Sequence, residues 1–327
     1  MEAISLHRFN LLAGYARLPG AGIVAEELEW YEAGNERFLG LLLRDRTDND
    51  FGYSLLARDR LRRFRAVKFA HSFPSKKAAR TALTAGLATC LKLPAKSFYQ
   101  GDEKGVVVDV FKPVVASDKM NHAFRELSTR GSYPASRLLE EMLHWYEDVD
   151  GNFLEQFQTT AFDARLWELY LFATFTELGY AFDRSIEAPD FFCIGLPGKF
   201  FVEATSVNPS NPPVNLADMT RDEYYRDYVP KKFGSALYSK LKKRYWEKEH
   251  VKGFPLVIAI QDFHEFQSMS WSLYALSEFL FGARNIKRRR EDGRVESVTE
   301  KIEYAFGGSA VSSGFFFRLK MLKTLVV

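Results

Sequence analysis

The stretch PDFFCIGLPGKFFVEATSV, Pro189 to Val207, decides the fold. Two apolar runs, DFFCI and FFVEATS, flank the turn sequence GLPGK at 195–199, and apolar runs on either side of Gly/Pro turn residues read as a strand pair. Period-2 alternation puts Phe201, Glu203, Thr205 and Val207 on one face and Val202 and Ala204 on the other. A hairpin at GLPGK then carries Asp190, which opens the first strand after Pro189, close to Glu203 or a few residues beyond it. Two carboxylates at one sheet edge, with the Ala204 carbonyl, make an oxygen half-shell for a hard cation such as Mg²⁺, or Mn²⁺. Taken singly, Asp190 also reads as a strand cap and Glu203 as an edge-strand charge.

Upstream, FDARLWELYLFATFTELGY predicts a helix over 163–178 that is apolar almost all round and stops at Gly179. Glu168 lies in it with Leu171 and Phe172 as its i+3 and i+4 neighbours, which points the carboxylate into a partly buried space. Such a carboxylate needs a cation, and an ion pair with Arg165 is the competing reading. Downstream, NPSNPP at 208–213 ends the second strand, a helix spans about 232–249, and FPLVIAI marks a buried strand at 255–262. This alternation implies an α/β sandwich around a mixed sheet.

A helix with Glu168, then Pro189-Asp190, a turn, and an apolar strand ending Glu203-x-Thr205 resembles the PD-(D/E)xK superfamily of restriction-endonuclease-like proteins, over about 100 residues from 161 to 262. The resemblance implies that Asp190 and Glu203 hold one or two Mg²⁺ ions, that Glu168 completes the site, and that a lysine orients the attacking water. Thr205 stands where that lysine belongs. Either the lysine has migrated to the next helix, KKFGSALYSKLKKRYWEKE, or the fold has lost catalysis and only binds. In that helix Lys240 flanks the stripe Phe233, Leu237, Leu241 and Tyr245, whereas Lys242 and Lys243 are expected to face solvent. The activity implied is Mg²⁺-dependent cleavage of DNA, with RNA second, in restriction, repair or phage defence. A non-catalytic nucleic-acid-binding protein is the alternative, and a carboxylate-pair glycosidase using Glu168 and Glu203 ranks third.

The fold class predicted is therefore α/β, a restriction-endonuclease-like mixed sheet flanked by helices over 161–327. A small α+β module at 1–116 and a helical bridge at 117–160 precede it. The module rests on runs at 36–69 separated by Asn49, Asp50 and Gly52, a helix starting at Pro74-Ser75, and a strand over 105–115. In the bridge, Leu138, Leu139, Met142, Leu143 and Trp145 are expected to share one face.

Hydrophobic residues make up 46% and aromatics 15%, so the chain is globular rather than disordered. A net charge of +3 leaves nucleic-acid contact to local clusters. Residues 229–252 hold eight Lys/Arg against two Glu; Arg58, Arg60, Arg62, Arg63 and Arg65 form a second cluster. Lys287 to Arg290, including Arg288 and Arg289, form a third in an expected loop. Each fits phosphate contacts or a solvated face. Tyr224, Tyr225 and Tyr228 could stack bases or cover the core, and Asp262 and His264 could assist a site at the sheet edge. Cys90 and Cys193 lack a CxxC, which argues against disulfides and zinc. The N-terminus lacks signal-peptide character and no run reaches the roughly 18–20 apolar residues of a membrane span, so a cytoplasmic protein with no membrane partner is expected. A homodimer is compatible with this reading.

Overall fold

The computed structural model describes residues 1–148, 151–186, 188–211 and 219–302, and the backbone of 324–326. Among the described residues the chain is mixed α/β, with an antiparallel sheet, a mixed sheet and a two-stranded hairpin. It forms two units: Met1–Phe182 with Ile194–Gly198, and Asp183–Cys193 with Lys199–Val327. The helices at 117–160 and the helix carrying Glu168 count with the first unit.

In the first unit an antiparallel sheet of order β1-β2-β3-β4-β5 uses Glu2–Ile4, Ala25–Ala33, Phe38–Asp45, Phe51–Arg58 and Phe64–Phe73. The runs FLGLLL and YSLLA are apolar on consecutive residues because both faces of β3 and β4 are covered. Phe38, Leu42, Tyr53 and Leu55 pack with Ala79, Leu83 and Leu87 of the helix Lys76–Cys90, whose start Ser75 caps by accepting from the Ala78 N–H. Leu39, Leu41, Leu56 and Phe64 pack with Phe9 and Leu12 of the helix Leu6–Ala13. Gly40 permits a close approach of the helix, since a Cβ there would lie 2.9 Å from Leu83. Sequence reading misses β2, AEELEWYEA, because its acidic residues mask the alternation. In the fold Glu26 pairs with Arg44, Glu27 with Arg17, and Glu29 with Lys76 and Arg80.

The strand expected over 105–115 does not form. Val106 is 79% exposed, and the backbone finds its partners in one buried side chain instead. Gln158 donates to the carbonyls of Val110 and Lys112 and accepts from the Val114 N–H. Leu138 also turns outward, and Glu141 is buried in its neighbourhood on the helix Tyr133–Leu143.

A mixed sheet of order β12-β9-β8-β7-β6 comprises β6 Ala181–Asp183, β7 Phe191–Gly195, β8 Gly198–Val207, β9 Leu256–Asp262 and β12 Thr324–Val326, most of its residues belonging to the second unit. β8 and β9 run parallel, with Phe201 opposite Leu256, Glu203 opposite Ile258 and Val207 opposite Asp262. Parallel strands need a crossover, and the helix Val229–Leu241 lies within it. Its Phe233 and Leu237 pack with Val207, Ile258 and Ile260, and with Ala275 and Phe279 of the helix Leu273–Phe281. The helix stops at Leu241, short of the expected 249. Arg244 adopts a left-handed backbone (φ 48°), and the turn buries Tyr245 beside Phe201 and Leu256.

The basic run 287–290 is no loop. Ala283–Arg289 forms β10, paired antiparallel with β11, Val295–Lys301. Thr324–Val326 pairs with β9 as β12; residues 303–323 lie outside the described residues.

Candidate active site

Glu203 occupies the middle of β8, on the face covered by the crossover helix, and is 2% exposed. A buried carboxylate must be compensated. Lys240 Nζ lies 2.7 Å from Glu203 Oε1, the Tyr245 hydroxyl donates to the same oxygen at 2.9 Å, and Lys243 Nζ stands 3.6 Å away. All three converge on Oε1; among the described residues no donor reaches Oε2. Burial, with the Glu203 charge beside it, pushes the Tyr245 phenol well above its ordinary value, so it stays protonated and donates.

Asp190 ends at the neighbouring position of β8. Its Oδ2 accepts the Ala204 N–H at 2.7 Å, and its backbone carbonyl accepts from Arg184 at 2.8 Å. In a strand the N–H and C=O of one residue point to the same side, so the Ala204 carbonyl is directed to the same edge of β8 as its N–H. The Tyr245 phenol feels the charges of Glu203, Lys240 and Asp190 together. Asp190, Glu203, Ala204 and Lys240 thus form one neighbourhood around β8. Thr205 is half-buried two residues along from Glu203 and brings no cation; the cation comes from the helix.

The other residues singled out from the sequence sit differently. Glu168, in the helix Phe162–Glu177 of the first unit, forms the ion pair with Arg165 at 2.6 Å and accepts from the Tyr146 hydroxyl at 3.2 Å. Lys243 leans toward Glu203 rather than wholly into solvent, whereas Lys242 lies over the Tyr238 ring at 4.2 Å. Arg288 and Arg289 are exposed on β10. The arginines of the N-terminal cluster are largely engaged within the fold: Arg58 with Glu141, Arg60 with the carbonyls of Glu103 and Gly105, Arg63 with Asp59, and Arg65 with Asp102.

Tyr224 and Tyr228 stack on each other with ring centroids 5.4 Å apart and pack against the core. His264 is buried, with Nδ1 2.7 Å from Asp262 and Nε2 3.0 Å from the Tyr224 hydroxyl, so both ring nitrogens have partners at the end of β9. Asp45, Asp48 and Asp50 gather within 4.8 Å at the β3–β4 turn, but Asp45 and Asp48 accept turn N–H groups at 2.7 and 3.1 Å. Cys90 and Cys193 are buried free thiols, and burial pushes Cys193 up to about 12.

Tyr245 is the residue whose role sequence reasoning missed. Its spacing marked it as part of an apolar stripe, and nothing in the spacing reveals that the helix breaks before it.

No family model, no curated protein and no solved structure matches the chain. Among the described residues no helix is long and apolar enough to cross a membrane.

Proposed function

We propose that the second unit is a PD-(D/E)xK-type phosphodiesterase that cleaves DNA, with Lys240 in the place of the motif lysine. The observation that carries this reading is the Lys240 ammonium 2.7 Å from Glu203, on a strand where Thr205 leaves the usual lysine position empty of charge. The donor set fits a hard divalent cation: the Glu203 Oε2 has no donor among the described residues, and the Asp190 carboxylate sits on the N–H of Ala204, the residue next to Glu203. Asp190, Glu203 and the Ala204 carbonyl would hold Mg²⁺ or Mn²⁺, which supplies Lewis-acid stabilisation of phosphoryl charge and an activated water. The Lys240 side chain stands at Glu203, where it would balance a phosphate brought there. Tyr245 acts as a positioning residue, its hydroxyl fixing Glu203 through Oε1.

A non-catalytic nucleic-acid-binding module is the second reading. It is favoured by the burial of Glu203, which Lys240 and Tyr245 already compensate without a metal. Supercoiled plasmid incubated with Mg²⁺ or Mn²⁺ decides between them. Cleavage by the intact chain that Asp190→Asn and Glu203→Gln each abolish supports the nuclease; salt-sensitive DNA retention with no cleavage by the intact chain supports the binding module. Cleavage that survives both substitutions rules this site out.

A further inference from the structure

We infer that the first unit carries a binding pocket for a phosphate monoester on a body of nucleotide size, an inference independent of the nuclease reading. A cavity of about 350 Å³ opens between the β2–β3 turn, the end of β4 and the helix Tyr133–Leu143. Small-molecule sites occupy roughly 300–1,000 Å³.

Its acidic groups are already spoken for. Glu141 is 2% exposed and takes a bidentate Arg58 at 2.7 and 2.9 Å and Arg137 at 2.6 Å. Arg137 also binds Glu36 at 2.6 Å and Glu140 at 3.0 Å, and Arg8 reaches Glu36 from outside the lining. Arginine therefore neutralises each carboxylate, and none remains to repel an anion.

The cationic and donor groups are not all used. Arg37 has an exposed side chain that donates to the Leu93 carbonyl at 2.8 Å and ion-pairs with no carboxylate among the described residues. Arg62 is 57% exposed, with only Glu140 nearby at 3.9 Å. His144 lines the cavity with its side chain 4% exposed, and neither ring nitrogen has a hydrogen-bond partner among the described residues. Its Nδ1 stands 3.5 Å from Glu141, too far for a well-formed hydrogen bond. A buried imidazole with Nε2 open and Nδ1 only loosely engaged by Glu141 costs stability unless something fills the space beside it. A phosphate monoester offers acceptor oxygens to a ring N–H of His144. Arg37 and Arg62 supply the charge at the rim.

Isothermal titration of the full chain with inorganic phosphate, AMP, adenosine, and a short oligonucleotide bearing 5′-phosphate or 5′-hydroxyl tests this. Saturable binding of AMP that adenosine lacks, weakened about tenfold by Arg37→Gln/Arg62→Gln with an unchanged melting temperature, is the expected result. His144→Phe, checked for folding by circular dichroism, should weaken the same binding. If AMP binds and neither oligonucleotide does, the source is a free nucleotide; preference for the 5′-phosphate oligonucleotide over its 5′-hydroxyl twin makes it a nucleic-acid end. The inference is overturned if no phosphate-dependent binding is seen, if the two oligonucleotides bind equally and AMP not at all, or if the arginine double variant binds as the parent does.

Discussion

Glu203 and Glu141 are both glutamates at 2% exposure, one in each unit, and their surroundings differ in kind. Glu141 meets two guanidinium groups that engage both of its oxygens, a saturated arrangement in which the planar fork matches the carboxylate. Glu203 meets a lysine and a phenol, both on Oε1. A point charge and a single hydroxyl hold one oxygen and leave the other without a donor among the described residues. Burial alone therefore says little about role; what separates a structural carboxylate from one able to take a ligand is how many of its lone pairs the protein has filled.

The largest effect that would sharpen this contrast is on activity. Lys240→Met should lower Mg²⁺-dependent plasmid cleavage about 10²–10³-fold, the usual cost of removing one group that stabilises developing charge. Arg58→Met should leave the per-molecule rate of the folded protein unchanged, and a comparable loss in both variants would break the distinction.

Stability should respond in the opposite order. Glu141→Gln removes the buried carboxylate that half-buried Arg58 and Arg137 share and should cost about 3–5 kcal/mol in urea unfolding. Tyr245→Phe removes one hydrogen bond to a charged group and should cost about 1.5–3 kcal/mol. Equal losses would mean that Glu203 is as tightly built in as Glu141.

The pH dependence follows from the same difference. Burial would raise the Glu141 carboxyl, but His144, Arg58 and Arg137 beside it reverse this and hold it at about 2 against an ordinary 4.5. A carboxyl depressed on folding stabilises the native state above its unfolded value and loses that contribution as pH falls through the folded one. Stability should therefore decline between about 4.5 and about 2, with Glu29, also held at about 2, contributing in the same window. Urea midpoints of Glu141→Gln across this range should fall less steeply than those of the parent; parallel curves would remove Glu141 from the account.

The smallest effect concerns the exposed lysines. Lys242→Ala should change stability by less than about 0.5 kcal/mol. If the helix meets phosphates, the same change should reduce the salt slope of DNA binding by about 1 without altering sequence preference.

Much of the framework was legible in the residues. The apolar runs of β3, β4 and β5, the Ser75 start of the following helix, the pair β7 and β8, and β9 all stand close to where periodicity and turn residues place them. Hairpin geometry also put Asp190 beside the Glu203 segment, and the helix stripe put Lys240 next to the apolar face. Charge-rich β2 was hidden, since its glutamates are compensated by arginines and a lysine distant in sequence. The run at 105–115 misled in the other direction, because β propensity describes a side chain that fits a sheet, and here no sheet edge receives it.

The sequence by itself determined the alternation that sets Glu203 among apolar residues and the absence of a lysine at Thr205, for both are properties of spacing along one strand. Only the tertiary structure decided which cation answers Glu203 and that Tyr245 swings back to share its oxygen. Ion pairing is chosen by distance across the fold, within a few ångströms, and sequence neighbours fix that distance only inside a single helix or strand.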